Sequence, residues 1–134
     1  MEAASVTETE ETPLDRELAE LRSRFLGASI LGAGGQNICV VPDYPVPPGW
    51  NRQATTVRFV IPAGYPHANP DCFFVDGDMR LANGALPQNA QMQALAGVGQ
   101  LLWFSWHLKR GWKPGRDRLT TWLGSIADRL AQTH

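Results

Sequence analysis

Leu14, Leu18, Leu21 and Phe25 recur at steps of four, three and four, the spacing of one face of an α-helix. Thr12 offers a side-chain cap ahead of them, Pro13 takes the first helical position, and Asp15 and Glu17 place acid in the first turn, so a helix is predicted to start there. The period then changes. In "ATTVRFVIP" (residues 54–62) Val57, Phe59 and Ile61 alternate with Thr56, Arg58 and Val60, which is a strand with one face toward a core. "NICVV" (37–41) and "DCFFVD" (71–76) read as two shorter strands. "PDYPVPPGW" carries four prolines in nine residues and is predicted to be an irregular connection. Small and polar residues dominate 77–99, with Asn83-Gly84 as a turn signal, so a long loop is expected there. "LLWFSWHL" (101–108) is predicted to be a short buried helix. A last helix begins near Asp117, with Leu119, Trp122, Leu123, Ile126 and Leu130 on one stripe. Strands that follow one another through short connections imply an antiparallel meander, and the helices must cover it. The predicted class is α+β: N-terminal helix, antiparallel β-meander, long loop, two C-terminal helices. Residues 1–11 are acidic and Thr-rich and are expected to form a flexible tail before a single domain, 12–134.

The 134 residues are enough for one domain with a core. A hydrophobic fraction of 43% and a charged fraction of 19% are globular composition and argue against disorder. A formal net charge of −1 gives no support to a polyanion-binding role. No apolar run approaches a membrane span, and the N-terminus lacks the basic and apolar regions of a signal peptide, so a cytoplasmic protein with reduced cysteines is expected. The two cysteines and three histidines have no metal-ligand spacing, so no metal and no cofactor are expected. "GAGG" (32–35) lacks the Lys of a phosphate-binding loop and reads as a turn.

"FVIPAGYPHANPDCFFV" and "GWKPGRDRLTTWLGSIADRL" resemble the ubiquitin-conjugating enzyme (UBC) superfamily through Ile61, Pro62, Tyr65, Pro66, Pro70 and Phe74, and through Trp112, Pro114 and Leu123. The resemblance covers roughly residues 12 to 131. With "NPDCFFVD", "ANG", "LPQN" and "WFSWHL" it is similar to a prokaryotic UBC-like family. Such families sit beside ubiquitin-like proteins, activating-type enzymes and JAB-type proteases, often in defence-associated gene clusters. The resemblance implies a UBC-like fold, with a ubiquitin-like protein and an activating-type enzyme as partners; charge and apolar runs point to neither nucleic acid nor membrane, and a nucleic-acid-binding α+β domain using the basic loop is the weakest of three readings. Two departures stand out. His-Pro-Asn is absent, and by offset from Asn83-Gly84 the family's cysteine position falls on Pro87. The implied role is therefore an E2-like component that binds its partners without conventional thioester chemistry. The alternative is a divergent transferase with Cys72 or a hydroxyl such as Ser105 as acceptor and His67 or His107 as base.

Strand alternation puts Cys72 on the face of Phe74, which favours a buried, inert thiol; Cys39, between Ile38 and Val40, is read the same way. His67 is expected in an exposed turn, and His107 half-buried among Trp103, Phe104 and Trp106. Asp76 and Asp78 read as turn and cap residues. Tyr65-Pro66, in a cramped turn, is expected to be cis. The five tryptophan and phenylalanine side chains at 103, 104, 106, 112 and 122 are read as core, and Lys109, Arg110, Lys113, Arg116 and Arg118 as a solvated basic loop. The resemblance puts the partner contacts on the off-stripe face of the first helix (Arg16, Glu17, Glu20, Arg22, Arg24, with Arg16 and Arg24 foremost) and on Asp76, Asn83, Gly84 and Pro87 of the loop.

Overall fold

The computed structural model describes residues 12–134; the expected acidic tail lies outside them. Helix α1 (Pro13–Arg22) starts as its residues dictate. The Thr12 hydroxyl accepts from the Asp15 N–H at 3.0 Å, and Asp15 accepts in return from the Thr12 N–H at 3.1 Å, a reciprocal capping box. Six strands follow: β1 (Ser29–Ala33), β2 (Gln36–Pro45), β3 (Ala54–Ile61), β4 (Phe73–Val75), β5 (Ala90–Leu95) and β6 (Gly99–Phe104). Helix α2 (Leu119–Leu130) closes the chain's regular structure. All pairings are antiparallel, in the order β1-β2-β3-β4-β6-β5. The meander therefore holds through β4, after which the last hairpin inserts its second strand first.

The strand content is richer than the sequence pattern predicts: β2 runs past a bulge through Pro45, into the expected irregular connection, and three further stretches are strand. β1 precedes the expected first strand and pairs with it across the Gly34-Gly35 turn, where both glycines have positive φ. The expected loop at 77–99 contains β5. "LLWFSWHL" is not a helix: Leu102 and Phe104 enter the main core while Leu101 and Trp103 face the opposite side of the sheet. Both faces of β6 are covered, so it reads as an unbroken apolar run. There is accordingly one C-terminal helix, not two. β4 pairs β6 through Phe73↔Phe104 and Val75↔Leu102.

One face of the sheet, with Cys39, Val41, Val57, Phe59, Ile61, Phe73, Val75, Leu102 and Phe104, packs on Leu21 of α1 and on Leu119, Trp122, Leu123, Ile126 and Leu130 of α2. On the other face Ile38, Phe74, Leu95 and Leu101 form a second, smaller cluster. The sheet curls over it until the tips of its two edge hairpins touch: a Cβ placed on Gly97 would come 2.7 Å from the Ala33 Cβ. Trp50, in the proline-rich connection, is buried and donates its indole N–H to the Leu130 carbonyl at 2.8 Å. Tyr65-Pro66 is cis, as expected. Among the described residues no helix is long and apolar enough to cross a membrane.

Candidate functional site

Cys72 does not lie in the strand. Its φ is +61°, in the left-handed region, and β4 begins only at Phe73. Alternation of side chains holds only along extended backbone. The left-handed residue turns the thiol away from the Phe74 face, and Cys72 is half-buried where a core position was expected. Its N–H donates to the Trp106 carbonyl at 2.9 Å, which prolongs the β4–β6 ladder by one bond. His107 comes next after Trp106, and Asp71 comes just before Cys72. His107 Nδ1 lies 2.5 Å from Asp71 Oδ1, and the Cys72 sulfur, a His107 ring nitrogen and an Asp71 carboxylate oxygen all lie within 4.8 Å of one another. His107 and Asp71 are exposed. Burial pushes the Cys72 thiol above its ordinary range and the Asp71 charge adds to that, while a backbone hydrogen bond from Trp106 pulls it back in part. Cys39 is sealed in the core and pushed up to about 12 by burial alone.

The other candidates are distributed around this cluster. The Ser105 N–H donates to the Asn89 carbonyl at 2.8 Å, so Asn89 and Cys72 flank the end of β6 on opposite sides. Two strand spacings separate them, about 10 Å, with Ser105 between. His67 sits exposed in the turn after β3, its N–H bonded to the Gly64 carbonyl; the structure gives it no place in the cluster. At the expected cysteine position Pro87 is buried, so it offers no surface to a partner. Its neighbour Gln88 is held by Arg129, a buried residue of α2 that donates to the carbonyls of Gln88 (2.7 Å), Gln132 (2.7 Å) and His134 (3.1 Å) and stands over the Phe104 ring. Asn83 and Gly84 form an exposed tip in which the Asn83 side chain accepts from the Ala85 N–H. Asp76 is half-buried in an ionic network with Arg52, and it also accepts from the Thr56 N–H; Asp78 joins through Arg52. That is a structural brace, and Asp76 presents little to a partner.

On α1, the expected partner face is partly consumed internally. Glu17 is buried and accepts from the Tyr65 hydroxyl and the Leu119 N–H, each at 2.7 Å. Glu20 pairs with Arg118 at 2.9 Å, and the Arg22 side chain donates to the Ala28 carbonyl at 2.7 Å. Arg16 and Arg24 lie at the surface. Exposed leucines outside the helices and strands escaped sequence reasoning: Leu26, 91% exposed beyond the end of α1, and Leu86, 52% exposed beside Pro87. Periodicity finds apolar stripes and is blind to a single apolar residue in a turn.

A sequence model described as Prokaryotic E2 family E matches residues 14–133. The chain belongs to prokaryotic E2 family E. Membership points to an E2-like role in bacterial ubiquitin-like conjugation, with ubiquitin-like proteins or activating enzymes as the general class of partner. No curated protein and no solved structure matches the chain. In this E2-family chain the segment from Asn83 to Pro87 carries no thiol or hydroxyl, and the described cysteine with a histidine and a carboxylate beside it is Cys72.

Proposed function

We propose that the chain is the E2-like component of a bacterial ubiquitin-like conjugation system of the defence-associated kind, and that it works as a UBC-like scaffold. It binds a ubiquitin-like protein or an activating-type enzyme and forms no thioester on the 83–87 segment. The observation that carries this reading is the state of that segment: Pro87 is buried, and Arg129 pins Gln88 to α2. Exposed Leu86 beside Asn83 and Gly84, and Leu26 beside Arg24, supply apolar surface next to polar groups, the mixture that protein contacts use. The test mixes the chain with its cognate ubiquitin-like protein, activating enzyme and ATP, and follows both binding and adducts on a gel without reductant. A complex with no thiol-sensitive adduct is expected. Charge reversal of Arg16 and Arg24 together with Leu26→Ser should weaken the complex about tenfold or more; unchanged binding would remove α1 from the interface.

A second reading has its own support: Cys72 lies beside His107 and Asp71, at the end of the sheet where Asn89 pairs with Ser105. Here Cys72 is the acceptor and His107 the base, as in thiol–imidazole nucleophile pairs. A reductant-sensitive band that disappears in Cys72→Ala would establish it. A band that resists reductant and yields to base would move the acceptor to a hydroxyl, Ser105 first.

A further inference from the structure

Three different donor atoms meet where β4 begins and β6 ends. Asp71 and Cys72 belong to one segment and His107 to another, and the two segments are locked by the Cys72 N–H to Trp106 carbonyl bond and by the Phe73↔Phe104 pairing. The backbone of the cluster is therefore fixed by the sheet, and only side-chain rotation is free. We propose that Cys72 Sγ, a ring nitrogen of His107 and a carboxylate oxygen of Asp71 form a site for a divalent transition-metal ion of the zinc type, with its remaining position open to water. This goes beyond the conjugation reading and does not rest on it.

The geometry is within reach. A tetrahedral zinc ion holds sulfur at about 2.3 Å and nitrogen or oxygen at about 2.0–2.2 Å, so its donors stand roughly 3.5 Å apart. The present donors lie within 4.8 Å of one another, with His107 Nδ1 and Asp71 Oδ1 hydrogen-bonded at 2.5 Å, so a metal replaces that hydrogen bond, and side-chain rotations of about an ångström set the shell. The donor chemistry is selective: thiolate and imidazole suit zinc and cobalt, while magnesium and calcium demand oxygen. The electrostatics point the same way. A thiolate and a carboxylate side by side attract a dication. Binding breaks the Cys72 S–H bond, releases its proton to solvent, forms the metal–sulfur bond and displaces coordinated water, so affinity should rise with pH. The plain sequence spacing hides this set, because the histidine is 35 residues beyond the cysteine and the left-handed turn at Cys72 is invisible in the pattern.

Cobalt(II) is the probe. The full chain, free of any histidine tag and kept reduced by a phosphine, is titrated with Co²⁺ and followed by the thiolate-to-cobalt charge-transfer absorption. One equivalent should generate the band, and Zn²⁺ should bleach it. Cys72→Ala should abolish it, and His107→Gln and Asp71→Asn should each weaken binding at least about tenfold. His67→Gln, outside the cluster, should leave it unchanged, and thermal unfolding without metal verifies that each variant folds. Absence of a band at many equivalents of Co²⁺ would overturn the proposal. So would a band that survives Cys72→Ala, or one indifferent to His107→Gln, which would mark a lone thiol.

Discussion

Replacing Glu17 by alanine removes the acceptor of two hydrogen bonds at once, one from the Tyr65 hydroxyl and one from the N–H of Leu119, the first residue of α2. The Leu119 N–H is buried with its residue, and a buried donor left without a partner costs about 1–3 kcal/mol. The half-buried Tyr65 hydroxyl can reach water, so its loss belongs at the lower end, about 0.5–1.5 kcal/mol. A negative charge at a helix N-terminus adds about 0.3–1 kcal/mol. Some of the sum returns because the carboxylate no longer has to be desolvated, which leaves an expected loss of about 2–4 kcal/mol for Glu17→Ala. Glu17→Gln keeps an acceptor oxygen and should lose about 1 kcal/mol. Urea unfolding of the three proteins measures this, and a double-mutant cycle of Glu17→Ala with Tyr65→Phe should show coupling of at least about 0.5 kcal/mol. If Glu17→Ala unfolds within about 0.5 kcal/mol of wild type, the claim that this carboxylate joins α1 to α2 is wrong.

Gly97→Ala should cost about 2 kcal/mol or more, since its φ is +81° and the new Cβ would meet Ala33 at 2.7 Å; Gly84→Ala, at φ +89° in open space, should cost only about 1 kcal/mol. Equal melting shifts would mean that the hairpin tips do not touch. Arg110 and the Lys113 N–H hold the Asp117 carboxyl down from its ordinary 3.8 to about 2. The unfolded chain therefore takes up its proton first as pH falls, and the stabilisation, complete above about pH 4, should fade toward pH 2. Asp117→Asn should flatten that part of the acid-unfolding profile; an unchanged profile counts against the ion pair. Arg129→Met should cost about 2–4 kcal/mol and raise hydrogen exchange at residues 83–89, whereas unaltered exchange would show that Arg129 does not pin the segment.

Elements whose residues point to one answer were legible. The Thr12–Pro13–Asp15 start with its Leu14, Leu18, Leu21 stripe gave α1; the alternation through Val57, Phe59 and Ile61 gave β3; the Leu119 to Leu130 stripe gave α2. β6 was not legible, because a strand covered on both faces has the composition of a buried helix turn. β5 ("AQMQAL") lacks β-branched residues and owes its strand to six paired positions on β6. For the site, the sequence singled out Cys72 and His107 but misread the thiol's surroundings, since the rule of alternation fails at a left-handed residue, and Asp71 carried no signal at all. Glu17 looked like surface because its partners are Tyr65 and Leu119, 48 and 102 residues away.

The end of the sheet where β4 starts and β5 and β6 meet places the competing chemistries side by side. Asn89, the last residue of the 83–89 segment, and Cys72 flank β6 about two strand spacings apart, near 10 Å, a span that about three residues of extended polypeptide cover. In the transfer reading, a partner's tail that passes Asn89 crosses Ser105 to reach Cys72. Transfer would require the sulfur to be free at that moment, and metal ligation would require it to be occupied. The two uses exclude each other on one atom, so zinc should suppress any Cys72-dependent adduct in proportion to its occupancy. If an adduct forms as readily with zinc in excess as without it, the sulfur is not a ligand under those conditions and the transfer reading gains. If zinc binds and no adduct forms with or without it, Cys72 is a ligand and not an acceptor, and the binding reading gains.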